Sequence, residues 1–299
     1  MTCAFALQQA MRAFASIALP NGEAIALSLK VAIATGPARR FVVGDPTIQV
    51  LDALAGATVS RTSTAEHHAQ KGDVLLDEAT VNALGDALTI KEWRTDPDSG
   101  ERFGVASQFG SAAVVPELPA PLRPPSADRL QMWLHRAVYK REQFGPESFL
   151  TEFRPCVALF VRFAGIDFDA DRAAAQLDTF IRQTQAIVTG YDGTLMDLTI
   201  GDKGSYMYIN LGALSTHEDD ARRALKIAFD LKQAAAELGF LAPLQQGVTH
   251  GLMRVGAYGG QTRLTYGALG DDVNLAARLM QIAGYGEILV SGPVYTATA

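Results

Sequence analysis

The stretch Thr262–Met280, TRLTYGALGDDVNLAARLM, predicts a strand, a glycine turn and an amphipathic helix in direct succession. Thr262–Leu269 has the character of a strand, and two aspartates after the turn suit the N-terminus of a helix over Val273–Met280. Asn274 and Arg278 are four residues apart, so their side chains share one face of that helix. A guanidinium forks onto phosphate oxygens and an amide orients a sugar oxygen, so this face can bind a phosphorylated sugar.

Composition limits the classes of function that remain. The chain has 299 residues, enough for about two domains, with 48% hydrophobic and 19% charged residues. A net charge of −6 argues against a nucleic-acid surface, and no run of eighteen apolar residues predicts a membrane span. The two cysteines, Cys3 and Cys156, fit a reducing compartment. We therefore expect a cytoplasmic protein that binds neither nucleic acid nor membrane.

Hydrophobic periodicity along the rest of the chain predicts an α+β fold. Strands are predicted over residues 27–34, 39–43 (returning as a hairpin), 48–54, 73–76, 88–93, 102–108, 155–163, 194–200, 205–211, 244–250, 252–258 (a second hairpin) and 287–290. Helices are predicted over residues 3–18, 56–70, 78–84, 128–137, 146–154, 171–189 and 217–238. Five prolines between residues 111 and 128 indicate an extended linker. The predicted domains are residues 1–110 and 151–299, joined by residues 111–150.

An internal repeat relates the two predicted domains at an offset of 214 to 215 residues. The matching segments are Lys30–Gly36 with Gln245–Gly251, Gly56–Val59 with Gly270–Val273, and Gly72–Leu76 with Gly286–Val290. The first copy has no counterpart of residues 155–216, and the second has no counterpart of residues 86–108. We therefore expect residues 1–110 to be completed by packing against the second copy, or by another chain. The expected partner is a missing N-terminal cyclase half or another cyclase chain.

The segment Gly270–Arg278 resembles the catalytic helix of class III adenylyl/guanylyl cyclases, whose pattern is G-[DN]-x-V-N-[LV]-A-[AS]-R. The segments LKVAIATGP, FVVGD and IGDKG add to a resemblance to the tandem, soluble-adenylyl-cyclase-like members of that family. It implies a ferredoxin-like βαββαβ core in two domains packed as a pseudo-two-fold pair. It also implies conversion of ATP to cyclic AMP and pyrophosphate with Mg²⁺ or Mn²⁺, in intracellular signalling. Asn274 and Arg278 would then contact the ribose and stabilise the phosphates.

The resemblance also shows what the second copy lacks. The family's two metal-binding carboxylates correspond to Arg162 and Asp202 here, and a guanidinium beside one carboxylate opposes divalent ions. The second copy would therefore supply the ribose and transition-state half of a site, and another domain the metal half. The base-recognition positions of the family fall at or near Leu198 and at Gly267, with Lys203 close by.

Two functions remain open from the sequence. The first is an adenylate cyclase domain pair that needs its missing half for turnover. The second is a non-catalytic cyclase-homology module that binds nucleotide or a partner and regulates other domains. The Asn274 and Arg278 pair favours the first, whereas the missing metal and base-recognition residues favour the second.

Overall fold

The computed structural model describes residues 1–110, 126–142, 151–201, 204–260 and 264–299. The α-helices are Thr2–Met11 (α1), Ala57–His68 (α2), Glu78–Leu84 (α3), Ala127–Gln131 (α4), Arg136–Glu142 (α5), Ala173–Gly190 (α6), Asp220–Leu238 (α7), Asp271–Ile282 (α8) and Gly292–Thr298 (α9). The strands are Ile17–Ala18 (β1), Ala24–Ile25 (β2), Val31–Ile33 (β3), Arg39–Val43 (β4), Leu51–Ala55 (β5), Val74–Asp77 (β6), Leu88–Thr95 (β7), Arg102–Phe109 (β8), Glu152–Phe163 (β9), Thr194–Gly201 (β10), Gly204–Leu211 (β11), Gln245–Gly259 (β12), Leu264–Leu269 (β13) and Ile288–Val290 (β14). The predicted α+β class is confirmed.

Two compact units divide the chain. Met1–Arg39 and Ala55–Arg123 form the first unit, and Arg40–Leu54 and Pro124–Ala299 form the second. The predicted domain of residues 1–110 is therefore interrupted, because residues 40–54 fold with the second unit. We call residues 40–54, which contain most of β4 and β5, the arm.

The second unit contains the predicted βαββαβ core in the order β9, α6, β10, β11, α7 and β12. Its sheet has the strand order β10-β11-β9-β12-β13, and β14 pairs in parallel with β12. The near-continuous apolar run of β9 is explained by its central position, since β9 pairs with β11 on one side and β12 on the other.

The two faces of this sheet carry different helices. Opposed residues in register share a face, so Phe160 lies on the same face as Tyr208 and Gly247. Helix α8 packs against Phe160 and Tyr208, and we call this the α8 face. Gln246 points to the other face, where its Nε2 donates to the Ala228 carbonyl oxygen of α7 at 2.9 Å. We call that the α7 face.

The first unit has the sheet order β3-β6-β8-β7. Val31 of β3 lies opposite Val74 of β6 in a parallel pair, and Gln246 of β12 lies opposite Ile288 of β14 in the same way. The two parallel pairs thus follow the sequence repeat residue by residue. Among the described residues β3 pairs with β6 alone, whereas β12 also pairs with β9 and β13.

The arm is held within the second unit by hydrogen bonds to α6. The Gly44 amide donates to Asp178 Oδ1 at 2.8 Å, and the Asp45 amide donates to Gln185 Oε1 at 2.7 Å. Gln185 Nε2 in turn donates to the Gln49 carbonyl oxygen at 2.6 Å. Gly44 has φ +107°, and a Cβ there would lie 2.7 Å from the Gln49 oxygen. Glycine is therefore required where the arm turns.

Both predicted hairpins of the repeat were wrong. The strand predicted over residues 27–34 is limited to Val31–Ile33 and pairs with β6, while β4 pairs with β5. Residues 244–250 and 252–258 belong to one continuous strand, β12. Gly251 is not a turn residue, because the Asp272 carboxylate occupies the space that a side chain at position 251 would need.

Other predicted boundaries shift. The helix predicted over residues 3–18 ends as an α-helix at Met11 and continues as one 3₁₀ turn, Arg12–Phe14. A helix was predicted over residues 146–154, of which residues 146–150 lie outside the described residues. The end of that range is not helical, because β9 begins at Glu152. The C-terminal helix α9 was not predicted. Most of the proline-rich linker also lies outside the described residues.

Candidate functional site

Helix α8 lies close to β12 because two glycines leave room for it. A Cβ on Gly247 would overlap the backbone of Ala276, and a Cβ on Gly251 would overlap the Asp272 carboxylate. Between them, Thr249 donates from Oγ1 to the Asp272 carbonyl oxygen at 2.7 Å. The position of α8 on the sheet is thus set by backbone contact and by one buried hydroxyl.

Asn274 and Arg278 are exposed on α8, as their spacing predicts. The helix is longer than the predicted Val273–Met280, because it begins at Asp271 and ends at Ile282. Within the part of the chain that the structure describes, neither side chain has a hydrogen bond or an ion pair. An amide and a guanidinium therefore remain available to a ligand on one side of the helix.

The predicted metal position carries a cation. Arg162 lies on the α8 face opposite Tyr206, and its Nε lies 2.9 Å from the place where a Cβ on Gly204 would be. Its guanidinium thus lies over Gly204, at the start of β11. Asp202 and Lys203, two predicted site residues, lie outside the described residues. The described residues contain no cluster of three or more His, Cys, Asp or Glu side chains that could hold a metal. A positive charge at this position does not fit Mg²⁺ or Mn²⁺.

Leu198 requires a correction. It lies opposite Met207 and is 7% exposed, so its side chain is in the core on the α7 face, away from α8. A bulge between Leu195 and Asp197 shifts the alternation by one residue, which the sequence pattern did not reveal. Asp197 and Thr199 of β10 lie on the α8 face, since they lie opposite Tyr208 and Tyr206.

Gly267 lies on the next strand pair, opposite Gly256. It is buried, and a Cβ there would lie 3.1 Å from the Tyr258 ring and hydroxyl. The ring of Tyr258 thus occupies the space that a side chain at position 267 would need. Burial, and less strongly the charge of Asp197, raises the pKa of the Tyr258 phenol.

An aromatic cluster covers the centre of the α8 face. The rings of Phe160 and Tyr208 stack at a centroid distance of 4.8 Å, and Tyr206 tilts against Phe160 at 5.8 Å. Burial raises the pKa of Tyr208, whose hydroxyl oxygen accepts a hydrogen bond from Asn210 Nδ2 at 3.0 Å. Tyr206 and Tyr208 are two residues apart in β11 and share this face. The sequence analysis did not single out Asn210, because nothing in the sequence distinguishes it from other residues of a buried strand.

No described helix is both long and apolar enough to cross a membrane.

Comparison with known proteins finds a similarity within the second unit. Residues 172–299 match the sequence profile of the adenylate and guanylate cyclase catalytic domain. Human adenylate cyclase type 10 is 23% identical over 283 residues, which cover 86% of this chain and 18% of that protein. The chain therefore spans less than a fifth of the length of that curated relative.

Solved cyclase structures resemble half of the chain. The adenylyl cyclase CyaB from P. aeruginosa matches with a TM-score of 0.46 and 24% identity, over 50% of this chain and 82% of that one. The guanylate cyclase domain of RhGC from Catenaria anguillulae, solved in complex with GTP, matches with a TM-score of 0.43 and 20% identity. That match covers 49% of this chain and 83% of that one.

Proposed function

We propose that this chain supplies the ribose- and phosphate-binding half of a nucleotide cyclase site, because residues 172–299 match the sequence profile of the adenylate and guanylate cyclase catalytic domain. The observation that carries the proposal is α8, where Asn274 and Arg278 are exposed together and have no partner among the described residues. The reaction is attack of the ribose 3′-oxygen on the α-phosphorus of a nucleoside triphosphate, with pyrophosphate as the leaving group.

Each of the two residues has a distinct role in this proposal. Arg278 donates to oxygens of the phosphates and stabilises the charge that develops on them as pyrophosphate departs. Asn274 holds the ribose so that its 3′-oxygen stays in line with the α-phosphorus. Because the backbone of α8 lies directly on β12, the two side chains start from a rigid position and lose little freedom on binding.

The metal half of the site is proposed to come from another cyclase domain. Class III cyclases generally use divalent metal ions, but the guanidinium of Arg162 does not fit them here. In the second unit, β12 pairs with β9 along one edge. The corresponding edge of β3, in the first unit, has no partner strand among the described residues. In this proposal another cyclase domain pairs there and brings the carboxylates.

ATP is the proposed substrate, because the curated relative that matches most of this chain is an adenylate cyclase. Cyclic AMP production would place the protein in intracellular signalling, in the cytoplasm. The alternative is a regulatory cyclase-homology module that binds nucleotide without turnover. The observation that favours this alternative is Arg162 at the metal position.

Nucleotide binding by the 299-residue chain tests the assignment. Calorimetric titration with a non-hydrolysable ATP analogue should give a dissociation constant that rises about tenfold or more in Arg278→Ala, since charge-assisted phosphate contacts are lost. Asn274→Ala should weaken binding less. Arg222→Ala is the matched control, because Arg222 is an exposed arginine on α7, on the opposite face of the sheet. Unchanged affinity in both α8 variants would refute the roles of Asn274 and Arg278.

A further inference from the structure

An exposed apolar patch continues the α7 face of the second unit beyond its buried part. Along β9, Val157, Leu159 and Val161 lie on the α7 face and are fully buried. The next two residues of β9 on that face, Pro155 and Phe153, are exposed. The cover over this face of β9 therefore ends between Val157 and Pro155.

The strand register brings five residues of this patch together. Phe153 of β9 and Leu269 of β13 both lie opposite Arg254 of β12, so these three residues form one row across the sheet. Leu252 lies opposite Pro155 in the neighbouring row on the same face. We call these five residues the Phe153 patch.

The apolar side chains of the Phe153 patch are large and face solvent. Phe153 is 69% exposed, Leu252 is 62% exposed and Leu269 is 38% exposed. Single exposed apolar residues are common on protein surfaces, whereas a contiguous group of them is typical of an interaction site. We therefore expect a partner to cover this part of the α7 face.

A single cation lies in the middle of the Phe153 patch. Arg254 is exposed and has no hydrogen bond or ion pair within the described part of the chain. Glu152 lies opposite Val255 and therefore points to the α8 face. It pairs there with Arg154, whose Nε lies 2.9 Å from Glu152 Oε1. A partner that covered Arg254 without offering a carboxylate would leave a desolvated charge unpaired.

The dimensions of the Phe153 patch fit one helix. Three neighbouring strands span about 10 Å, and two rows on one face are about 7 Å apart along the strands. A helix with its side chains is about 10 Å wide, so a single helix covers the patch. A partner strand would instead add to an edge of the sheet and leave this face open.

A second copy of this chain fits the Phe153 patch poorly. An isologous contact between two copies brings the same residues of both chains together around a two-fold axis. Because Arg254 lies in the middle of the patch, the two guanidinium groups would face each other and repel. The charge therefore favours a different partner, which is acidic where this patch is basic.

We propose that the Phe153 patch docks an amphipathic helix of another protein, which has apolar residues on one face and a carboxylate that pairs with Arg254. Phe153, Leu252 and Leu269 contact the apolar side chains of that helix. The patch lies on the face of the sheet opposite α8, so this docking goes beyond the proposed cyclase function and does not depend on it.

Two matched peptides test the charge of the partner. Both are helical peptides of about fifteen residues with leucines at positions i, i+4 and i+7, and they differ only at i+3, which is glutamate in one and lysine in the other. Fluorescence anisotropy of each labelled peptide is measured during titration with the 299-residue chain. We expect saturable binding and about tenfold or more higher affinity for the glutamate peptide, because its carboxylate pairs with Arg254. Arg254→Glu should reverse this preference.

Substitution of one exposed apolar residue tests where the peptide binds. Leu252→Ser should weaken binding of the glutamate peptide about tenfold, because a leucine that becomes buried on binding is lost. Phe229→Ser is the matched control, since Phe229 is an exposed apolar residue of α7 outside the patch, and it should leave the affinity unchanged.

Three results would overturn the proposal. Equal affinity for the two peptides would show that Arg254 does not select a carboxylate, and the absence of saturable binding would show that the patch docks no such helix. Sedimentation of the chain without peptide gives the third result. Self-association that Leu252→Ser abolishes would show that a second copy covers the patch.

Discussion

Gln185 is expected to hold the arm on the second unit. Its side chain is 2% exposed and makes two hydrogen bonds with the arm backbone, accepting from the Asp45 amide at 2.7 Å and donating to the Gln49 carbonyl at 2.6 Å. Gln185→Leu conserves the approximate volume but leaves both backbone groups without a partner. Each such group costs about 1–3 kcal/mol when it stays buried, so arm docking should weaken by about 2–5 kcal/mol.

Hydrogen exchange followed by mass spectrometry measures this loss directly. Peptides covering residues 41–54 should exchange about 30-fold faster or more in Gln185→Leu, because about 1.4 kcal/mol of opening free energy corresponds to a factor of ten. Gln185→Glu keeps the acceptor for Asp45 and loses the donor to Gln49, so its effect should be intermediate. Gln233→Leu, at an exposed glutamine of α7, is the control. If these peptides exchange in Gln185→Leu at a rate within twofold of the unaltered chain, Gln185 does not hold the arm on the second unit.

Three further predictions follow from burial and close packing. Gly247→Ala should displace α8, lowering both the urea midpoint and nucleotide affinity, whereas Gly190→Ala, with open space around it, should change neither. Burial lowers the pKa of His135, so the neutral ring stabilises the fold above pH about 6.5 and this stability is lost as the pH falls below that value. His135→Asn should reduce the difference between urea midpoints at pH 7.5 and 5.5, and an unreduced difference would contradict this. Burial raises the pKa of Cys156 to about 12, so a thiol reagent should label exposed Cys3 alone until urea unfolds the chain. Rapid labelling of Cys156 in the folded Cys3→Ser variant would contradict this prediction.

The second unit was largely predictable because its elements are long and strongly patterned. The apolar run of β9, the alternation in β11 and the Asn274–Arg278 spacing each reflect one element in a regular geometry. Gly251 was misinterpreted for a physical reason, because a glycine needed for close approach of α8 has the same local signal as a glycine in a turn.

Other features depend on contacts that are distant in sequence. The β10 bulge shifts the alternation by one residue, so Leu198 lies in the core on the α7 face and Asp197 lies on the α8 face. The arm folds with the second unit through Asp178 and Gln185, more than 130 residues away from it in sequence. Local patterns in residues 40–54 could not reveal that partner.

We propose that this chain holds the Asn274–Arg278 half of a nucleotide cyclase site and that another cyclase domain supplies the metal half. The most direct measurement is cyclic AMP formation from Mn-ATP by the 299-residue chain, alone and mixed with a separate cyclase domain that carries both metal-binding carboxylates but has its own Asn–Arg pair replaced. We expect no turnover by either protein alone, turnover by the mixture, and loss of that turnover with Asn274→Ala or Arg278→Ala. Turnover by the chain alone, or turnover by the mixture that both substitutions leave intact, would contradict it.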